Sequence, residues 1–134
     1  MADTLTQVMN DFTLDSVAGH MLRRCQQRAV DLFVDEVGED GPNPRQYAVF
    51  ITVYSYLGMS QTALVEASGI DRSTLTEVLR RMIDRGMISR SRTPTDMRAN
   101  ALFLTASGRK ALEDAFEAAE RAQRRILAPV PEAD

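Results

Sequence analysis

The chain has 134 residues, 44% of them hydrophobic and 26% charged, with a net charge of −3, which is one domain's worth of chain with enough apolar side chains for a core. Tryptophan is absent and aromatic residues make up only 6%, so that core is expected to be mostly aliphatic with methionine. One cysteine excludes an internal disulfide and a cysteine-based zinc site, no apolar run approaches the length of a bilayer span, and Met1-Ala2-Asp3-Thr4 lacks the basic start and apolar block of a secretion signal, so a cytoplasmic location is expected.

In chain order, residues 1–14 read as a polar arm or frayed end. Asp15 or Ser16 is placed to cap a long helix reaching about Val37, with Val17, Met21, Cys25, Leu32 and Phe33 as its apolar positions. Gly38 to Pro44 is a loop by composition. A second helix is expected from Arg45 to Leu57, ended by Gly58, with Tyr47, Phe50, Ile51, Tyr54 and Leu57 on one stripe. Ser60 is a good N-cap for a short helix over Gln61–Ser68. Gly69-Ile70-Asp71 then reads as a turn in which Gly69 can take φ > 0 and Asp71 can cap the next helix. From Arg72 the spacing of Leu75, Val78, Leu79, Met82 and Ile83 is that of an amphipathic helix, stopped at Arg85-Gly86. Met87–Arg92 and Ala101–Thr105 can form two strands around the turn signal Thr93-Pro94-Thr95-Asp96, with a hairpin tip over Thr93–Asn100. Ala106 or Ser107 starts a last helix running to about Ala128, with Leu112, Phe116, Ala119 and Ile126 as its stripe and Pro129 as its stop.

Two helices joined by a short glycine-bearing turn make a helix-turn-helix, and a following hairpin makes it a winged helix. The expected fold class is therefore mainly α with a small β-hairpin wing. Charge supports a nucleic-acid role for this segment. Residues 72–98 carry seven arginines against three acids, a local charge of +4, which leaves −7 for the rest of the chain. Docking depends on the field at the contacting face more than on the total. Residues at the start of a recognition helix reach base edges while flanking cations and hydroxyls hold phosphates. On that logic Arg72, Ser73, Thr74, Thr76 and Glu77 are the groove-facing candidates. Arg80 and Arg81 are expected at the backbone, with Arg90 and Arg92 on the wing strand, and Ser60, Gln61 and Thr62 offer hydroxyls and N–H groups to a phosphate. Asp96 would repel phosphate, so it either orients Arg98 or Arg90 or is a plain turn residue.

The run from Arg72 to Leu112 resembles the MarR family of transcription regulators. The resemblance is carried by Arg85-Gly86-Met87-Ile88 at the end of the recognition helix, by Asp96-x-Arg98 in the wing, and by Leu104-Thr105-x-x-Gly108 opening the next helix. It extends more weakly from about Asp15 to about Pro131. It implies a single domain over residues 1–134, in which 1–37 and 106–128 are dimerisation helices and 44–105 form the winged-helix lobe. It also implies a homodimer on an inverted-repeat operator in double-stranded DNA, with Arg98 entering the minor groove. Most members continue past the equivalent of Pro129 with another helix, whereas this sequence stops at Asp134, so either it is trimmed or the protein is a short variant with a weaker or differently built dimer interface. The implied function is a sequence-specific repressor released by a small aromatic or phenolic acid, or by its coenzyme A thioester. Candidate effector contacts are His20, Arg23, Arg45, Tyr47, Phe50 and Tyr54, although the three aromatic residues sit at core spacing, where such residues are more often core than pocket.

Two alternatives stand beside that reading. One branch of the family senses peroxide through a cysteine on its first helix, and Arg24 and Arg28 lie near Cys25. A buried, inert Cys25 at a stripe position is the favoured expectation. The other alternative is a winged helix used for protein contacts. An enzyme finds little support: His20 and Cys25 on one helix are not a nucleophile–base pair, Asp35-Glu36 and Glu39-Asp40 read as solvated charge, and neither a phosphate-binding glycine loop nor a metal-ligand cluster is present in the sequence. No catalytic residue, metal or cofactor is expected.

Overall fold

The computed structural model describes residues 3–10, 12–92 and 100–131. The described residues form six helices, α1 (Thr4–Met9), α2 (Ala18–Val37), α3 (Pro44–Ser55), α4 (Gln61–Ser68), α5 (Arg72–Asp84) and α6 (Ala106–Leu127), and a hairpin of β1 (Ile88–Arg92) and β2 (Asn100–Leu104). Most helix starts are set by local side-chain chemistry. Asn43 and Gln46 form a reciprocal capping box with Pro44 at the first helical position, and Ser60, Asp71 and Thr105 each accept a hydrogen bond from the N–H three residues on. Gly69 ends α4 at φ 70°, a left-handed conformation that costs glycine nothing.

β1 and β2 pair antiparallel, with Ile88 opposite Leu104 and Arg90 opposite Leu102. The segment between α3 and α4 adds to β2: the Leu102 N–H donates to the Met59 carbonyl at 2.9 Å, and the Gly58 N–H to the Leu102 carbonyl at 3.2 Å. The sheet thus encloses α4 and α5 around one core, whose fully buried members include Phe50, Val53, Leu64, Leu75, Leu79, Met82, Ile88 and Leu102. Helix α6 extends this core and packs along α2. Leu112, Ala115, Ala119 and Ala122 bury one of its faces, and the small alanines permit close approach. At the far end Arg121 and Arg125 bridge to Asp35 and Glu36 at 2.6–3.0 Å. The Arg121 guanidinium, then Arg125, holds Glu36 below the usual carboxylate range.

Several expectations need correction. Neither Asp15 nor Ser16 caps α2. Both lie in a 3₁₀ turn over Leu14–Ser16, the Ser16 hydroxyl is spent on the Thr13 carbonyl, and α2 starts after Val17 with no side-chain cap. Residues 4–9, expected as part of a polar arm or frayed end, are helical and capped by Asp3, and none is buried. Helix α3 ends at Ser55 rather than Leu57. Its buried stripe is Tyr47, Val49, Phe50 and Val53, while Ile51, Tyr54 and Leu57 are exposed, because the apolar residues occupy two faces of the helix and the core covers one. Met21 and Cys25, in the N-terminal half of α2, are exposed, and so is Phe116 on α6. No helix among the described residues is long and apolar enough to cross a membrane.

Candidate nucleic-acid interface

Helix α5 buries Leu75, Leu79 and Met82 and turns Arg72, Ser73, Thr76, Glu77, Arg80 and Arg81 to solvent, with Thr74 half-buried at the edge. Its start is fixed by Asp71, whose carboxylate accepts from the Thr74 N–H at 3.0 Å and from the Ser73 hydroxyl at 2.8 Å. The Thr74 N–H bond, ahead of the hydroxyl bonds, lowers the Asp71 pKa to about 2 from 3.8. A depressed carboxylate stabilises the fold above its unfolded value and loses that contribution as pH falls through the folded value. The α5 start is therefore expected to fray between pH 4 and pH 2 in the native protein but not in Asp71→Asn, which amide NMR of Ser73 and Thr74 would resolve.

A chain of side-chain hydrogen bonds joins α4, α5 and β1 across this surface. The Arg72 guanidinium donates to the Thr62 hydroxyl at 3.3 Å. The Thr76 hydroxyl donates to the Arg72 carbonyl at 2.8 Å and accepts from the Gln61 amide nitrogen at 2.9 Å. The Gln61 amide oxygen in turn accepts from Arg90 on β1 at 3.1 Å. Gln61, Thr76, Arg80, Ile83, Asp84 and Arg90 line a cleft of about 310 Å³. Structure therefore brings Gln61, Thr62, Arg72, Thr76 and Arg90 into one exposed face, while the Ser60 side chain serves as the α4 cap.

Arg80 and Arg81 are engaged differently. Glu77 accepts from Arg80 at 2.6 Å and from Arg81 at 3.1 Å, and Arg80 also reaches Asp84 at 3.2 Å. The Arg80 guanidinium, then Arg81, holds Glu77 below the ordinary carboxylate range. These pairs are exposed and contribute little to stability. Asp96, Arg98 and the Arg92 side chain lie outside the described residues.

The expected effector contacts do not converge. His20 and Arg23 meet each other, 3.3 Å apart, on α2, and Arg45 is exposed. Phe50 is core. Tyr47 is buried too. Its hydroxyl has no hydrogen-bond partner among the described residues, and burial, with Glu120 second, raises its pKa. Of the three aromatic candidates Tyr54 alone is exposed. It meets a residue that sequence reasoning missed, Arg109 on α6, whose guanidinium lies 5.4 Å from the ring centroid. Tyr54, Arg109, Ile51, Leu112 and Phe116 line a cleft of about 520 Å³, with Glu113 and Glu117 on its α6 side. No local sequence signal links Tyr54 to Arg109, since the pair exists only because α6 returns along α3.

The profile of the MarR family matches residues 43–99, from the cap of α3 to just short of β2. Transcriptional regulator HosA of Escherichia coli O111:H- is 37% identical over 103 residues, covering 77% of this chain and 75% of that protein. Among solved structures, the PcaV transcriptional regulator of Streptomyces coelicolor in complex with its natural ligand superposes with a TM-score of 0.82 at 31% identity, covering 98% of this chain and 86% of that one. BpsR of Bordetella bronchiseptica, whose DNA binding is regulated by 6-hydroxynicotinic acid, gives 0.82 at 26% identity over 90% of this chain and 86% of its own. This chain belongs to the MarR family of transcriptional regulators.

Proposed function

We propose that the protein acts as a homodimeric repressor that holds an inverted-repeat operator on its paired α5 helices and releases it when a small aromatic or phenolic acid, or its coenzyme A thioester, binds. The observation that carries this reading is the hydrogen-bonded face running from Thr62 through Arg72, Thr76 and Gln61 to Arg90. Three elements that touch a duplex at different places are set relative to one another by polar side chains left at the surface. Such groups are suited to phosphate and base edges. In this reading residues 44–105 are the DNA-binding lobe, and 1–37 with 106–128 form the dimer platform. Exposed Leu5, Val8, Leu22, Phe116 and Leu127 on those helices supply apolar surface for a second copy. The protein binds and switches, with no catalytic step of its own.

The cleft at Arg109 suits the effector. Its guanidinium can take a carboxylate in fork geometry, and Tyr54 and Phe116 offer aromatic walls. The regulation of BpsR by a hydroxylated aromatic acid supports that ligand class. Release requires the acid to bind the DNA-free conformation more tightly than the bound one.

The test is fluorescence anisotropy on a short random duplex. Affinity should fall steeply and linearly in log–log form between about 50 and 200 mM salt, as counterion release demands. An arginine contact to DNA is worth about 1–3 kcal/mol, so Arg98→Ala should weaken binding about tenfold or more with an unchanged melting temperature. Unaltered affinity would remove the wing from the DNA contact.

A further inference from the structure

The amide of Gln61 is oriented by chemistry on both sides. Arg90 has only donors, so it must meet the amide oxygen, which it does at 3.1 Å. The Thr76 hydroxyl proton is committed to the Arg72 carbonyl at 2.8 Å, so its lone pair must accept from the amide nitrogen, at 2.9 Å. One side chain at the first position of α4 thereby ties the wing strand to the recognition helix, with Gln61 standing 29 residues from Arg90 and 15 from Thr76. Arg90 and Gln61 are also neighbours along the same cleft at the start of α4.

We propose that Gln61 is a positioning residue for DNA binding, presetting Arg90 to take a backbone phosphate beside the groove that α5 enters. The proposal rests on the reading that this face meets DNA. An unrestrained arginine surrenders rotamer freedom when it meets a phosphate, whereas one already held gives up less, so the tether is expressed as affinity. Gln61 itself need not touch DNA. The Thr76 hydroxyl anchors the amide, and loosening that anchor loosens Arg90 as well.

A double-mutant cycle separates this role from a structural one. Gln61→Met keeps the length of the side chain and removes both hydrogen bonds, and Arg90→Met removes the charge. On the short random duplex, Arg90→Met should weaken binding and lower the salt slope by about 0.9, one phosphate contact. Gln61→Met should weaken binding severalfold with Arg90 present and change nothing in the Arg90→Met background. Thr76→Val should follow Gln61→Met in direction and serves if that variant melts early. Additive losses, or full affinity in both Gln61→Met and Thr76→Val while Arg90→Met is weak, would overturn the positioning role and leave the DNA face standing. Full affinity in Arg90→Met would overturn the positioning role together with the assignment of Arg90 to that face.

Discussion

Gly108→Ala is expected to lose stability and DNA affinity together, although a helical glycine replaced by alanine ordinarily gains about 1 kcal/mol. The reason is the junction between the wing and α6. A Cβ built on Gly108 would collide with the Met87 carbonyl oxygen and lie 2.9 Å from the carbonyl carbon, and the obstacle is backbone, which has no rotamer to yield. Two hydrogen bonds hold that backbone in place. The Thr105 N–H donates to the same Met87 carbonyl at 3.1 Å, and the Thr105 hydroxyl donates to the Gly86 carbonyl. Thr105 also caps α6 by accepting from the Gly108 N–H at 3.0 Å. Relief requires α6 to back away from the turn that leads into β1, which opens the core at Ile88 and Leu112. The cost belongs at or above the upper end of the roughly 1–3 kcal/mol typical of overpacking, so it outweighs the helix-propensity gain. Gly19→Ala in α2, where nothing lies within 4 Å of the new Cβ, is the matched control and should hold or raise stability. Urea unfolding of the two variants decides the matter. A Gly108→Ala protein as stable as the parent would mean that α6 and β1 do not meet as described.

Legible in the sequence was the chemistry that acts over three or four residues. Ser60, Asp71 and the Gly69 turn were readable because a cap, or a left-handed residue, is specified by its neighbours along the chain. The buried side of α5 was readable because its opposite face is densely charged, which leaves one way to turn the helix. Helix α3 offered no such contrast. Tyr47 and Phe50 share helical spacing with Ile51 and Tyr54, and composition alone does not say which pair the core covers. Ser16 shows a smaller failure of the same kind: a good capping residue was consumed by a local turn one step early. Beyond reach were the pairings made by the chain's return path. Gln61 with Arg90 and Arg109 with Tyr54 depend on where β1 and α6 come back, and no periodicity encodes that. The candidate DNA face was thus readable as a set of residues but not as a connected network, and the cleft at Arg109 through Tyr54 alone.

Phe50 and Tyr54, one helical turn apart on α3, should answer alanine substitution in opposite ways. Phe50 is 1% exposed and Tyr54 is 50% exposed. Truncating a fully buried phenylalanine removes its transfer free energy and leaves a cavity, about 3–5 kcal/mol in total. Set against a domain stability of about 5–15 kcal/mol, that places Phe50→Ala near the edge of folding. Any loss of DNA binding or effector response in it would result from unfolding and carry no information about a binding site. Tyr54→Ala removes an exposed ring and should alter stability by no more than about 0.5 kcal/mol. Its DNA affinity without effector should match the parent, while under the proposed function release of DNA by an aromatic carboxylate should need a higher concentration, because the ring stacked beside Arg109 is gone. Paired measurements of unfolding and of effector-dependent anisotropy therefore separate the two faces of the helix. Equal stability losses in both variants would show that the Tyr54 face is buried in the working protein, which a dimer partner lying over α3 would bring about, and would move the effector away from the Arg109 cleft.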